Sequence, residues 1–133
     1  MKIEIFALCD AATEQQGKLN LLGSFDHLLA KQEPVGQPGC TLAIRLRFTK
    51  NEEGQHLIRV TFGDEDGKLV MPPLEATVGV RVAPNESTVV AHLILNMQQL
   101  ILPRFGEYSI DLAIDGRAES TLPLYVRRLP ETA

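Results

Sequence analysis

The sequence predicts an all-β domain, an antiparallel β-sandwich of immunoglobulin-like type with about eight strands. Three observations predict it. Apolar residues alternate with polar ones at a period of two in segment after segment, the signature of half-buried strands. Turn signals built from Gly, Pro, Asn and Asp separate these segments at short intervals, and no stretch keeps a helical period. A Gly-Glu-Tyr start to one late strand, Gly106-Glu107-Tyr108, matches the tyrosine corner of immunoglobulin-like sandwiches, in which the hydroxyl returns to the preceding loop.

Residues 2–10 read as the first strand, with Ile3, Ile5, Ala7 and Cys9 on one face and Phe6 and Leu8 on the other, so both faces are expected to be covered. Residues 18–30 read as one long strand with Leu19, Leu21, Phe25 and Leu29 on one face, and Gly23 within it signals a bulge or a close crossing. Pro34, Gly36, Pro38 and Gly39 predict an irregular loop. Residues 40–49 alternate most cleanly, Leu42, Ile44, Leu46 and Phe48 against Thr41, Ala43, Arg45, Arg47 and Thr49. The turn Asn51-Glu52-Glu53-Gly54 leads to a strand with Ile58, Val60 and Phe62 inside.

After the turn at residues 64–68, Pro72-Pro73 delays the next strand, which resumes alternation from Leu74 to Val82. Residues 88–97 are strongly β-forming. Tyr108, Ile110, Leu112 and Ile114 then alternate up to Asp115-Gly116, a tight hairpin turn, and Leu122, Leu124 and Val126 alternate on the way back. Pro123 has no N–H for a ladder, which predicts an edge at that point. The tail from Leu129 is expected to fray. In immunoglobulin-like order, one sheet holds the strands near 2–10, 18–30, 74–82 and 88–97. The other holds those near 40–49, 56–63, 107–114 and 117–127.

The 133 residues fit a single domain, 1–133, and 44% apolar content is enough for a real core. A formal charge of −4 with only 5% aromatic residues argues against nucleic-acid binding. No apolar run approaches the roughly 18 residues of a membrane span. Glu4 interrupts the apolar start that a signal peptide needs, so secretion is not expected. In the cytoplasm Cys9 and Cys40 are expected to be free thiols.

Two strings, Leu8-Cys9-Asp10-Ala11-Ala12 and Gly17-Lys18-Leu19-Asn20-Leu21-Leu22-Gly23-Ser24-Phe25-Asp26, carry a family resemblance. So do Glu53-Gly54-Gln55-His56, Asp64-Glu65-Asp66-Gly67, Pro72-Pro73 and Gly106-Glu107-Tyr108-Ser109-Ile110. Over nearly its whole length the chain resembles a family of small bacterial single-domain proteins of unknown function. The resemblance implies a bacterial, cytoplasmic setting and no mechanism.

Motifs for chemistry are sparse. His27, His56 and His92 lie on different strands with no ligand spacing to either cysteine, so no metal or other cofactor is expected. Asp64, Glu65 and Asp66 share one turn, which opens a small-molecule or calcium-binding reading, although Gly67 follows Asp66 too soon for an EF-hand loop. Cys9 with Asp10, and Ser24 with Asp26 and His27, supply residue types for a nucleophile, but Ser24 and Asp26 share a face from which His27 points away and there is no nucleophile elbow, so the chain is not expected to be an enzyme, with one using Cys9 as the third reading. The outer face of the second sheet offers more. Arg45, Arg47 and Arg59 are expected there with Asp111 alongside and Tyr125 further across. Such a face is either solvated and laced with ion pairs or an interface, since Arg and Tyr are enriched at binding hot spots. The function expected is a non-catalytic protein-interaction or structural module, its partner an unidentified protein or a second copy in a homodimer, bound through this face or an edge strand.

Overall fold

The structure, a computed structural model, describes residues 1–130. Among the described residues nine strands form two sheets: β1 (Lys2–Gln15), β2 (Lys18–Ser24), β3 (His27–Ala30), β4 (Val35–Thr49), β5 (Gly54–Gly63), β6 (Leu74–Val80), β7 (Thr88–Leu102), β8 (Gly106–Ile114) and β9 (Arg117–Arg128). The first sheet has the order β2-β1-β4-β7 and the second β3-β9-β8-β5-β6. All pairings are antiparallel except β3 with β9. One core fills the space between the sheets. Leu42, Ile44, Leu46 and Phe48 enter it from β4, Ile58, Val60 and Phe62 from β5, and Ile110 and Leu112 from β8.

The late hairpin forms as the sequence predicts. Asp115 and Gly116 both take positive φ, 53° and 82°, joining Ile114 to Arg117 in a two-residue turn. The tyrosine corner forms as well. The Tyr108 hydroxyl donates to the Arg104 carbonyl at 2.7 Å and accepts from the Arg104 N–H at 3.1 Å. Pro123 lies where β9 has no neighbour beyond β8, because β3 pairs with β9 only from Tyr125 onward.

The structure departs from three expectations. The segment 18–30 is two strands. Gly23, at φ 71°, lies so close to Asp10 that a Cβ would meet its carboxylate, and after Ser24 the chain leaves β1 and joins β9 in the other sheet. The crossing shifts the side-chain register, so Leu28 and Ala30 pack on the core while Leu29 is exposed. The irregular loop expected at 34–39 belongs mostly to β4. The pairing of β1 with β4 ends at Cys9–Thr41, so the β1 side of β4 is free at Pro38, where no N–H is needed, and Gly39 takes φ 60°. The tail expected to fray, from Leu129, is described only as far as Pro130. The Leu129 N–H is bonded to the Ala30 carbonyl at 2.8 Å, and residues 131–133 lie outside the described residues.

The last correction decides the architecture. Residues 40–49 sit in the first sheet and residues 74–80 in the second, the reverse of the immunoglobulin-like assignment. A 3-10 turn at Lys50–Glu52 carries the chain from sheet to sheet instead of closing a hairpin. The Glu52 carboxylate accepts from the Thr49 N–H and from the Met1 amino group, which holds its carboxyl below the ordinary range. His56 locks the crossing. It stacks on Phe48, and its two ring nitrogens face the Glu52 carbonyl and the Asp115 carboxylate. Both partners accept, so His56 donates from both nitrogens as an imidazolium.

This latch predicts a pH profile. The Glu52 carbonyl first, and then Asp115, push the His56 pKa above its usual 6.5. Its stabilisation is complete below that value and is lost as pH rises through the higher folded value. Asp115 is held below its usual 3.8 by His56 and the Leu57 N–H, so its contribution is present above 3.8 and is lost as pH falls through the lower folded value. Asp115→Asn keeps the acceptor for Leu57 and removes the charge. The urea midpoint of the parent is expected to fall as pH rises above 6.5, and that of D115N to fall less. Equal pH slopes in the two proteins would remove the ion pair from the account.

Candidate interaction surface

The five residues expected on one face do not share one. Arg45 and Arg47 project from β4 in the first sheet, whereas Arg59, Asp111 and Tyr125 belong to β5, β8 and β9 of the second. The cause is the sheet-to-sheet crossing at residues 50–52, which separates β4 from β5.

Arg45 and Arg47 are engaged within the fold. A bulge in β1 between Ile3 and Ile5 turns Glu4 onto the outer face of β4. There its carboxylate accepts from Arg45 Nε at 2.8 Å and from Arg47 Nε and Nη2 at 2.8 and 3.1 Å. Arg47 first and Arg45 second hold the Glu4 carboxyl down at about 2. Arg47 Nη1 also donates to the Thr88 hydroxyl at 2.9 Å. Arg45 Nη1 donates to His92 Nε2 at 2.8 Å, so His92 keeps its proton on Nδ1, where it faces Glu14 at 2.8 Å. The chain Thr88-Arg47-Glu4-Arg45-His92-Glu14 thus ties β1, β4 and β7 together.

The reach of Glu14 to His92 has a structural meaning. The far half of the β1–β2 hairpin curls over the outside of β4 toward β7. Cys9 and Ala43, which face away from the core, are fully buried. Both faces of β1 are therefore covered, as the sequence predicts. Burial pushes both the Cys9 and Cys40 thiols up, opposite to the shift that an attacking thiolate needs.

On the second sheet Arg59 meets Glu75 at 3.4 Å, and the Asp111 carboxylate accepts from Ser109 and Thr121. Tyr125 lies between the His27 ring, with centroids 4.9 Å apart, and the Arg127 guanidinium. The cross-strand pairs among these, Arg59–Glu75 and Thr121–Asp111, are each worth about 0.2–1 kcal/mol. The acidic turn is similarly self-contained. Asp64 Oδ1 accepts from the N–H groups of Asp66 and Lys68, and Glu65 turns aside to accept from the Glu107 N–H at 2.8 Å. Among the described residues no three His, Cys, Asp or Glu side chains converge as a metal site would require.

The surface that the fold leaves open is a sheet edge. Of the four edge strands, β3 has four residues, β2 has seven with Lys18 and Gly23, and β6 has seven with Glu75 and Gly79. These are the usual devices that blunt an edge. β7 has 15 residues and none of them. It pairs with β4 from Thr88–Thr49 to Leu102–Val35 without a register shift and, among the described residues, with nothing on its other side. It contains no Lys, Arg, Asp, Glu, Gly or Pro. Val89, Val90, Ala91, Ile94 and Leu95 remain only half-buried along it. The signal was present in the sequence as a charge-free β-forming run, but alternation alone does not reveal which strand lies at an edge.

Comparison with known proteins adds a family. A model described as "Family of unknown function (DUF6941)" matches residues 4–127, from Glu4 of the arginine network to Arg127 beside Tyr125. The chain belongs to that family. No curated protein and no solved structure matches it. The matched span contains the whole of β7, so the free edge lies within the family domain.

Proposed function

We propose that this chain is a non-catalytic protein-interaction module of the bacterial cytoplasm that accepts a β-strand along the free edge of β7. The observation that carries the reading is the contrast among the edges: three are short or interrupted, and the fourth offers a long, uncharged ladder of unpaired N–H and C=O groups. Strand addition to such an edge gains affinity from main-chain hydrogen bonds, while flanking side chains select the partner. The raised thiols and the internally satisfied carboxylates support a non-catalytic role. The tyrosine corner supports the immunoglobulin-like part of the fold reading, and the exchange of β4 and β6 between the sheets counts against it.

Arg45 and Arg47 are poor probes of binding, because reversing either charge breaks the link to Glu4 and reports on folding. A photo-crosslinking residue placed in turn at Ile94, Asn96, Arg59 and Tyr125, with the protein in its own cells, separates the surfaces. Crosslinks are expected at positions 94 and 96. Crosslinks confined to positions 59 and 125 would move the interface to the second sheet and end the edge reading.

A further inference from the structure

We infer that the strand received by β7 is the β7 of a second copy, added antiparallel about a two-fold axis. The two first sheets would then become one continuous sheet, β2-β1-β4-β7-β7-β4-β1-β2. The inference rests on the edge reading above and names its partner.

A strand able to complete this edge must be long, free on one side and uncharged. Among the described residues one strand meets this, β7 itself. Antiparallel pairing of a strand with its own copy about an axis normal to the sheet is self-complementary: residue i meets j and j meets i. In such a pair, opposite side chains lie on the same face. On the core side Val89, Ala91, Leu93, Leu95 and Met97 are all apolar, and on the outer side Val90 meets Ile94 when the axis passes at His92, with Thr88 opposite Asn96. No Lys, Arg, Asp or Glu side chains are brought together, because the stretch from Thr88 to Met97 has none. Pairing would also cover Val89, Ala91 and Leu95 on the core side and Val90 and Ile94 on the outer side, the residues the monomer leaves half-exposed. The β1–β2 hairpin does not compete for this edge, since it reaches β7 through the Glu14 side chain and makes no ladder with it.

The inference is tested by sedimentation of the intact chain with hydrogen exchange on the same samples. The expected mass is that of two 14.7 kDa chains. Amides all along Thr88–Met97 are expected to be protected, including the alternate ones that do not face β4. Ile94→Lys places a cation near the axis of each copy and is expected to weaken the dimer at least about ten-fold, the factor that corresponds to the loss of one good contact. It should also free those alternate amides. If I94K does not fold, exchange on the parent protein decides. A monomer overturns the inference, and so does a dimer whose alternate β7 amides exchange as fast as surface amides. A monomer that still crosslinks through position 94 to a different protein would overturn the second copy as partner and leave the edge reading standing.

Discussion

Phe62→Ala is expected to destabilise the fold by about 3–5 kcal/mol. Phe62 lies on β5, which is flanked by β6 and β8, and its side chain is fully buried in the single core. Its cross-strand partner is Ile110, itself fully buried, and its carbonyl accepts from the Val70 N–H at 3.0 Å. The surrounding strands are pinned by their ladders, so the site cannot collapse around an alanine. The lost transfer free energy and the cavity both count against the folded state. Domains of this kind are stable by only about 5–15 kcal/mol, so the loss is a large fraction of the whole. The urea midpoint is expected to fall with the denaturant slope unchanged. Leu22→Ala, at a residue 71% exposed on β2, is the control and should stay within about 0.5 kcal/mol of the parent. A loss at Phe62 no larger than that of the control would mean that β5 does not pack as described.

Tyr108→Phe is the second large effect, at about 1–3 kcal/mol. The ring remains in place, and only the hydroxyl is removed. That hydroxyl accepts the Arg104 N–H and donates to the Arg104 carbonyl, so both polar groups of one residue lose their partner at once. The corner has little slack. Gly106 sits at φ 147° with Glu65 so near that a Cβ would meet its carboxylate, while Glu65 holds the Glu107 N–H. With Tyr108 anchored on one side and Glu65 on the other, the link from β7 to β8 has one path. Tyr108→Phe is expected to lower the melting temperature and to speed exchange of the Arg104 amide by more than it speeds exchange in the β4–β7 ladder. Uniform loss of protection over the whole chain would show that the hydroxyl stabilises the fold without anchoring the corner.

Local chemistry made much of this molecule legible. Asp115-Gly116 can satisfy two positive φ values in succession, so the hairpin follows from two residues. Tyr108 after a glycine supplies both the ring for the core and the hydroxyl for the loop. The alternation from Leu42 to Phe48 and from Tyr108 to Ile114 needs only the period of the strand, and both runs bury the expected face. The candidate site was less legible. Arg45 and Arg47 face outward as their register requires, but the bulge that brings Glu4 between them, and the hairpin that brings Glu14 to His92, depend on how β1 bends.

The sequence by itself determined an all-β chain, most of its strands, their buried faces and the turns that need special backbone angles, because each of these is fixed within a few consecutive residues. Only the tertiary structure decided the partners. It sent residues 50–52 across the sandwich, split 18–30 between the sheets, carried β4 through Pro38 and Gly39, and left β7 as a long free edge. Strand pairing is a contest among distant segments with similar alternation. Its outcome depends on where each turn aims the chain and on which faces the core can cover together.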